Sequence, residues 1–254
     1  MQKPKALDMP VFKWGPVPTD AEVEAAVERA VRRAVGGAPR VGVFLSGGVD
    51  SSLLLALARR EADVVAFTIA ASAEHPDLVA AVRLAAEWGI EHHALVPGAG
   101  VVDEARAAIA RRPVLYPGDE AVWLICQAAF ARHVDLVLAT DGIDELAGGY
   151  WWHANPSGRF PNQNQAAAFG CFWAQLWRAH LEPLLLSAET VGLELRFPYL
   201  DPELVEVLSR VPFHFRAGEG ETKRQWRRVA ARHVPAWVVE RPKLGFCDAL
   251  QQGK

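Results

Sequence analysis

Cysteine is scarce in this sequence, and its spacing argues against two kinds of site. Only Cys126, Cys171 and Cys247 occur among the 254 residues, far apart and odd in number. No CxxC pair is present, which argues against a disulfide framework and against a thiolate zinc site.

Long apolar runs and an excess of basic charge are also absent. The longest apolar stretch, residues 64–71, has the length of a buried strand and is too short to span a membrane. Residues 1–15 contain no apolar core of a secretion signal, so we expect a cytoplasmic protein. The 27 basic and 30 acidic side chains give a net charge of −3, which offers no support for a nucleic-acid-binding protein.

One local cluster of basic residues needs a separate interpretation. Arg224, Arg227, Arg228 and Arg232 share one side of a predicted helix and could bind RNA phosphates. The negative charge of the whole chain favours a solvated surface, or one that faces a nucleotide.

Strands and helices alternate through the first 139 residues. The segments that predict strands are residues 41–45, 64–69, 91–96 and 136–138. The segments with helical periodicity are residues 53–60, 76–88, 102–110 and 118–133. A capping box of Thr19 and Glu22 starts an earlier helix, which ends at Gly36. This alternation of apolar strands with helices indicates an α/β fold with a doubly wound parallel sheet covered on both faces.

The last third of the chain has a different pattern. After Tyr150 no further strand stands out. The helical segments predicted there lie near residues 167–180, 202–210, 221–233 and 235–240. We therefore expect a single domain over residues 1–254, with a parallel α/β core over residues 1–150 and a helical portion over residues 151–254 that completes the functional site.

A loop rich in glycine and serine follows the first predicted strand. Its sequence is Ser46-Gly47-Gly48-Val49-Asp50-Ser51-Ser52, and it enters a helix. It lies beyond the carboxyl end of a strand, where open parallel sheets bind ligands. The glycines permit positive φ and a close approach, while the free N–H groups and dipole of the helix start favour a phosphate. Serine hydroxyls add donors, and Asp50 can hold Mg²⁺.

The structural alternative for this loop is a tight turn capped by Asp50 or Ser51, which is common in α/β proteins. The chain contains neither the GxxxxGK[ST] nor the GxGxxG phosphate-binding pattern. The loop is therefore not of either of these two common types.

Three carboxylates follow the fourth predicted strand. Asp141, Asp144 and Glu145 lie within five residues. At the end of a strand they would repel one another unless a cation lies between them. A solvated acidic turn with Asp144 as a helix cap is the alternative.

The loop at residues 46–52 resembles the signature of the ATP pyrophosphatase (PP-loop) superfamily, whose members cleave ATP between the α and β phosphates. Four later segments resemble motifs of the asparagine synthetase family within that superfamily. They are residues 140–150, similar to GDGADELFGGY; residues 192–201, similar to GLEVRxPFLD; Lys223, Trp226 and Arg227, similar to KxxLR; and residues 241–246, similar to RPKxGF. The resemblance extends from about Glu22 to Phe246 with the motifs in the family's order.

The resemblance implies roles for the matched residues. Asp50 and Asp144 would bind Mg²⁺ together with the pyrophosphate part of ATP. Lys243 would be catalytic beside the reacting phosphate, and Asp141 would act in adenylate formation or on the attacking amine. The residues expected around ATP and its pyrophosphate are Leu45, Ser46, Gly47, Gly48, Asp50, Ser51, Ser52, Ile69, Thr140, Gly142 and Lys223. Glu194 is a weaker catalytic candidate that would contact substrate with Arg196, the alternative being a structural ion pair.

The resemblance also implies an amide-forming ligase that uses ATP and Mg²⁺. A carboxylate, aspartate or a related acid, would be adenylated with release of pyrophosphate, and ammonia or an amine would then displace AMP. Family members begin with a glutaminase domain whose nucleophile is the cysteine after Met1, whereas Gln2 stands there in this sequence. We therefore expect no glutamine hydrolysis by this chain and leave a separate glutaminase subunit and a homo-oligomer open. A membrane or nucleic-acid partner is not expected.

Two alternative functions remain from the sequence. One is a different PP-loop chemistry, such as tRNA modification or NAD-synthetase-type amidation. The other is a nucleotide-binding homologue without catalysis. The lack of paired cysteines counts against tRNA thiolation, and the presence of Asp50, Asp144 and Lys243 counts against a non-catalytic homologue.

Overall fold

The computed structural model describes residues 3–110, 112, 118–156, 164–242 and 249–250, and these contain one five-stranded parallel sheet. Its strands are β1 (Arg40–Phe44), β2 (Asp63–Ile69), β3 (Glu91–Leu95), β4 (Leu136–Leu138) and β5 (Glu194–Arg196). Their spatial order is β3-β2-β1-β4-β5. The chain order reverses between β1 and β4, and the crevice beyond the carboxyl ends of two such strands is where open α/β sheets bind ligands.

Helices surround the sheet. They are α1 (Asp20–Val35), α2 (Val49–Ala58), α3 (Pro76–Trp88), α4 (Ala99–Ile109), α5 (Asp119–Phe130), α6 (Ile143–Ala147), α7 (Trp151–Ala154), α8 (Gln165–Leu176), α9 (Glu182–Val191), α10 (Pro202–Ser209), α11 (Phe213–Arg216), α12 (Arg224–Ala230) and α13 (Ala236–Glu240). Short 3₁₀ turns lie at Lys5–Asp8 and Pro198–Leu200. Among the helices that the structure describes, none combines the length and the apolar character needed to span a membrane.

Alternate strand residues face two separate apolar layers. Val41 and Val43 of β1 pack with the buried side chains of α1 and α2. Val65 and Phe67 of β2 pack instead with those of α5 and α9. Burial on both faces explains why these strands are continuous apolar runs. The predicted α/β fold with a parallel sheet covered on both faces is confirmed.

Local sequence signals predicted the ends of several helices correctly. The capping box of α1 is present, with the N–H of Glu22 donating to Thr19 Oγ1 (3.2 Å). Helix α3 begins at Pro76 and ends before Gly89, as predicted. The predicted start of the second helix at residue 53 is wrong, because α2 begins at Val49. Asp50 and the two following serines form its first turn, where short polar side chains are favoured.

The prediction that no strand follows Tyr150 is also wrong. Strand β5 pairs with β4 at the edge of the sheet, with Leu195 opposite Val137. It contains only three residues, of which only Leu195 is buried, so it shows no apolar run. The last third of the chain therefore adds a strand to the sheet as well as helices.

Helix α9 was not predicted as a separate element. Helix α8 continues into it through a π-helical turn, Trp177–Leu181, in which the N–H of Glu182 donates to the carbonyl oxygen of Trp177. Pro183 lacks an N–H, and its ring would clash with the carbonyl four residues earlier in a regular helix. The wider π turn accommodates that proline without ending the helix.

Candidate active site

The phosphate loop, residues 46–48, connects the carboxyl end of β1 to α2 and packs against α3. Gly47 has a φ of +67°, and a Cβ atom on it would lie 2.6 Å from Ala80 Cβ in α3. Both the backbone conformation and the neighbouring helix therefore require glycine at this position.

Serine hydroxyls hold this loop in shape. Ser51 Oγ accepts a hydrogen bond from the N–H of Ser46 (3.1 Å), and Ser46 Oγ accepts one from the N–H of Gly48 (3.3 Å). Ser52 Oγ is buried and has no hydrogen-bond partner within the described part of the chain. Leaving a buried hydroxyl unsatisfied is costly, and a phosphate oxygen would satisfy it. This arrangement fits the phosphate-binding role that the sequence predicts.

Asp50 and Asp144, the predicted magnesium ligands, meet at one side chain. Lys223 Nζ lies 2.6 Å from Asp144 Oδ1 and forms a second ion pair with Asp50 Oδ2. The two carboxylates come from the segments that follow β1 and β4, which are adjacent strands. Only 2% of the Lys223 side chain is exposed. The protein itself thus supplies a cation between the two carboxylates that are predicted to bind Mg²⁺.

The two carboxylates keep the buried lysine charged. Burial by itself would lower the pKa of the Lys223 ammonium group. The carboxylates of Asp144 and Asp50 outweigh burial, so the pKa lies above its ordinary value. Lys223 is therefore a permanent cation at neutral pH.

Unusual backbone geometry brings Lys223 to the carboxylates. Lys223 is left-handed, with a φ of +57°, immediately before α12, and its N–H donates to the carbonyl oxygen of Gly148 (3.2 Å). This conformation costs a non-glycine residue about 1–2 kcal/mol. A Cβ atom at Gly149 would lie 1.7 Å from Asp144 Oδ1, so only glycine fits there. The two glycines of this motif therefore serve the ion pairs of Lys223 and Asp144.

Two aromatic side chains hold Asp50 from other directions. Trp226 Nε1 donates to Asp50 Oδ1 (2.9 Å), and the Tyr199 hydroxyl donates to the Asp50 carbonyl oxygen (2.8 Å). The two rings pack edge to face with centroids 4.9 Å apart. The motifs predicted a supporting role for neither residue. The available signal was that buried tyrosine and tryptophan usually find a partner for their O–H or N–H.

The other residues predicted around ATP lie at the same edge of the sheet. Leu45 and Ile69 are buried at the carboxyl ends of β1 and β2. Thr140 and Asp141 follow β4 and are partly exposed. Gly142 has a φ of +96°, in the left-handed region that favours glycine. The parallel sheet thus brings these residues to the edge that carries the phosphate loop, and their roles stay predictions.

Glu194 lies apart from this group, and its catalytic role stays a prediction. It is the first residue of β5 and pairs with Leu136, the first residue of β4, at the amino edge of the sheet. Its carboxylate lies 2.7 Å from Arg196 Nε, and Arg196 also donates to the carbonyl oxygen of Ala34 (2.6 Å) at the end of α1. The ion pair between Glu194 and Arg196, which the sequence offered as the alternative, is present in the structure.

Lys243, the predicted catalytic cation, lies outside the described residues. The structure describes Arg241, two residues before it. The Arg241 guanidinium donates to Asp77 Oδ1 (2.5 Å) and to the carbonyl oxygen of Ser46 (3.2 Å). The segment that precedes Lys243 is therefore anchored at the phosphate loop.

The residues of this site lie within segments that match a known protein family. A model of the asparagine synthase family matches residues 22–189 and 176–253. The chain belongs to the asparagine synthase family.

Relatives of this asparagine synthase family member include longer proteins. A putative glutamine-hydrolysing asparagine synthetase from Mycobacterium tuberculosis is 27% identical over 293 residues, covering 81% of this chain and 44% of that protein. The glutamine-hydrolysing asparagine synthetase B of Escherichia coli is 27% identical over 240 residues, covering 82% of this chain and 41% of that protein. The chain thus spans less than half the length of these relatives. Among solved structures, an NH3-dependent NAD synthetase from Campylobacter jejuni gives a TM-score of 0.39 at 19% identity, covering 78% of this chain and 96% of that chain.

The donor set of this family member fits magnesium. Carboxylate oxygens are the protein ligands that Mg²⁺ prefers. Asp50 and Asp144 both place a carboxylate oxygen at ion-pair distance from a single cationic atom, Lys223 Nζ. The two residues therefore fit a shared metal ion, and their role as its ligands stays a prediction.

Glu145, the third carboxylate of the acidic segment, is buried beside Asp144. Only 1% of this residue is exposed. The Tyr150 hydroxyl donates to Glu145 Oε1 (2.8 Å), while Oε2 has no hydrogen-bond partner among the residues described. Burial above all, and then the neighbouring Asp144, raises the pKa of Glu145 to about 7. Partial protonation of Glu145 therefore reduces its repulsion with Asp144.

The arginines around α12 are engaged with other groups. The contacts are Arg224 with Glu219 and Glu221 (2.8 and 3.0 Å), Arg228 with Asp20 (2.9 Å), Arg232 with Glu24, and Arg227 with the carbonyl oxygens of Thr222 and Val239. Acidic partners thus offset the charge of three of the four arginines. This pattern supports the expected solvated surface over an RNA-binding one.

Lys223→Met should strongly destabilise the protein. The substitution keeps a long apolar stem but leaves two neighbouring carboxylates without their buried cation, and breaking a buried ion pair this way costs about 3–5 kcal/mol. The measurement is urea unfolding with EDTA present. Lys13→Met, which removes a largely exposed ion pair with Glu206 (2.7 Å), is the control and should cost about 0–1 kcal/mol. Equal losses in the two variants would contradict the central role of Lys223.

Glu145→Gln should change how stability depends on pH. Because the folded protein raises the pKa of Glu145 from 4.5 to about 7, it binds the proton more tightly than the unfolded chain does. Glu145 therefore makes stability fall as pH rises between these two values, and glutamine removes this contribution. The free energy of unfolding of the variant relative to wild type should increase from about pH 5 to about pH 8. Glu189→Gln, at an exposed position on α9, is the control. A relative stability of Glu145→Gln that does not change with pH would contradict the raised pKa.

Proposed function

We propose that this chain is an ATP-dependent amide-forming synthetase. It adenylates a carboxylic acid, aspartate or a related acid, and passes the acyl group to ammonia or an amine. The observation that carries the proposal is the meeting of Asp50, Asp144 and Lys223 beside the phosphate loop, at the carboxyl ends of β1 and β4. Membership of the asparagine synthase family supports the same class of reaction.

The first step of the proposed reaction activates the acid. A carboxylate oxygen attacks the α-phosphorus of ATP, and the bond from that phosphorus to the oxygen bridging to the β phosphate breaks. Residues 46–52 hold the β and γ phosphates through N–H and hydroxyl groups. Asp50 and Asp144 hold Mg²⁺, which neutralises phosphate charge when it is bound. Lys243 stabilises the charge that moves onto the departing pyrophosphate.

The second step forms the amide. The nitrogen of ammonia or an amine attacks the acyl carbon, AMP leaves with the bridging oxygen, and the nitrogen loses a proton. Asp141, at the carboxyl end of β4, is the proposed side chain for the adenylate or the amine. The nitrogen source is free ammonia, an amine or a separate glutaminase subunit. The glutamine-hydrolysing activity in the names of the relatives belongs to proteins of which this chain covers less than half.

Thiol chemistry, as in tRNA thiolation, is less well supported. Burial raises the pKa of the Cys126 thiol to about 12, so it is not a thiolate at neutral pH. Cys171 is partly exposed, and Cys247 lies outside the described residues. Cys126 is therefore unsuited to serve as the reactive thiol of such a reaction. Other PP-loop amidations would act on a different acid. A screen that measures which carboxylic acid the chain activates therefore distinguishes them from the proposed reaction.

Turnover should yield AMP and pyrophosphate. The expected reaction breaks the bond between the α and β phosphates only when the cognate acid is present. Pyrophosphate release and ATP–pyrophosphate exchange, measured across a panel of acids, test this, and Asp50→Asn serves as the inactive control. ADP and phosphate as the only nucleotide products would refute the proposal.

Lys243→Ala should remove most adenylate formation while ATP binding remains. The resemblance to the family motif implies that its ammonium group would lie beside the α-phosphate, where a fixed cation stabilises the transition state more than bound ATP. Loss of one such group typically costs on the order of 10²–10³ in rate. Lys243→Arg should rescue poorly, because a planar guanidinium differs from a point charge. A rate of ATP–pyrophosphate exchange within a few-fold of the wild-type rate would contradict this role and indicate that Lys243 is a surface lysine.

A further inference from the structure

Arg241 joins three segments that are distant in the sequence. Its side chain is 13% exposed and donates to Asp77 Oδ1 (2.5 Å) and to the carbonyl oxygen of Ser46 (3.2 Å). Asp77 is 10% exposed and lies in the first turn of α3, and Ser46 begins the phosphate loop. One guanidinium thus connects the segment after α13 to α3 and to the phosphate loop.

The contact with Ser46 bears on the orientation of the phosphate loop. The C=O of Ser46 and the N–H of Gly47 belong to one planar trans peptide and point in opposite directions. Because Arg241 holds the carbonyl group, it also restricts the direction of the Gly47 N–H, one of the donors that the loop offers to a phosphate. Gly47 packs closely on Ala80, so the helix that carries Asp77 also supports the loop.

The ion pair with Asp77 decides what Arg241 can do. A guanidinium whose charge is compensated by a nearby carboxylate is a weaker ligand for phosphate than a free one. The same planar group is well suited to hold a carboxylate and a carbonyl oxygen in fixed geometry, since its donors form a rigid fork. The observed partners therefore favour support of the loop over contact with the nucleotide.

We infer that Arg241, held by Asp77, is a positioning residue for the phosphate loop. It acts on bound pyrophosphate and ATP through the Ser46–Gly47 peptide and not by touching them. The ligand named in this inference rests on the proposed function. The effect of Arg241 on the phosphate loop, in contrast, is measurable without any ligand.

The binding test compares Arg241→Gln, Asp77→Asn and the double variant. Each single substitution should weaken the binding of magnesium pyrophosphate by about 10–100-fold, the size typical for partners that orient a binding group. The double variant should bind no more weakly than the worse single variant, because both changes remove one support. Calorimetry on the full chain provides the dissociation constants. Arg32→Gln, which removes an exposed ion pair with Glu61 (3.1 Å), is the matched control and should bind like wild type.

Direct contact between Arg241 and phosphate would give another pattern. Asp77→Asn would then free the guanidinium and leave binding unchanged or tighter, while Arg241→Gln would still weaken it. That result overturns the inference, as does unchanged binding in both variants. If Arg241→Gln does not fold, Arg241→Lys replaces it, because lysine keeps the charge but lacks the fork, and it should also weaken binding.

Hydrogen exchange in the ligand-free protein separates this inference from the proposed function. The amides of residues 46–48 should exchange faster in Arg241→Gln and in Asp77→Asn than in wild type and in Arg32→Gln. Equal exchange rates would overturn the inference even in a protein that binds nucleotide well. A wild-type chain that binds neither magnesium pyrophosphate nor Mg-ATP would refute the proposed function instead and leave the exchange result valid.

Discussion

The arrangement of this site depends on a buried ammonium group between two carboxylates. Asp50 and Asp144 follow adjacent strands and would repel each other at the carboxyl edge of the sheet. Lys223 removes this repulsion with two ion pairs, and it comes from a segment some eighty residues beyond Asp144. The strained backbone of Lys223, the glycine at position 149 and the hydrogen bond from Trp226 all follow from the need to place that one charge. The helical portion is therefore part of the site and not an appendage to the sheet.

The sequence predicted those features of the fold that have a local cause. The capping box at Thr19 and Glu22 and the apolar runs of the central strands depend on neighbours in the chain, and the structure contains them. Strand β5 has no such local cause, since a single buried leucine in three residues shows no periodicity. The location of Glu194 could not be predicted for the same reason. Without the strand, nothing indicated that its carboxylate lies at the amino edge of the sheet.

The contacts that support the site could not be read from the sequence for a different reason. Tyr199 with the carbonyl oxygen of Asp50, and Arg241 with Asp77, join residues more than a hundred positions apart. Such pairs are determined by how α3, α12 and the 3₁₀ turn after β5 pack around the sheet. Motif positions identified the segments involved but not which atoms meet. Gly149 illustrates the difference, because its need for glycine is visible only once Asp144 Oδ1 is placed beside it.

The charge of the central trio bears on the order in which ligands can bind. Asp50, Asp144 and protonated Lys223 together carry one net negative charge, which repels a phosphate. A divalent cation bound by the two carboxylates would invert that sign, since it would be the largest local charge at the site. Asp77 likewise compensates Arg241 next to the phosphate loop. On the proposed function, the described residues thus supply geometry and hydrogen-bond donors, whereas the positive charge that attracts the nucleotide must arrive largely with the metal. Metal and nucleotide are therefore expected to bind as a complex, or the metal first, and not the nucleotide alone.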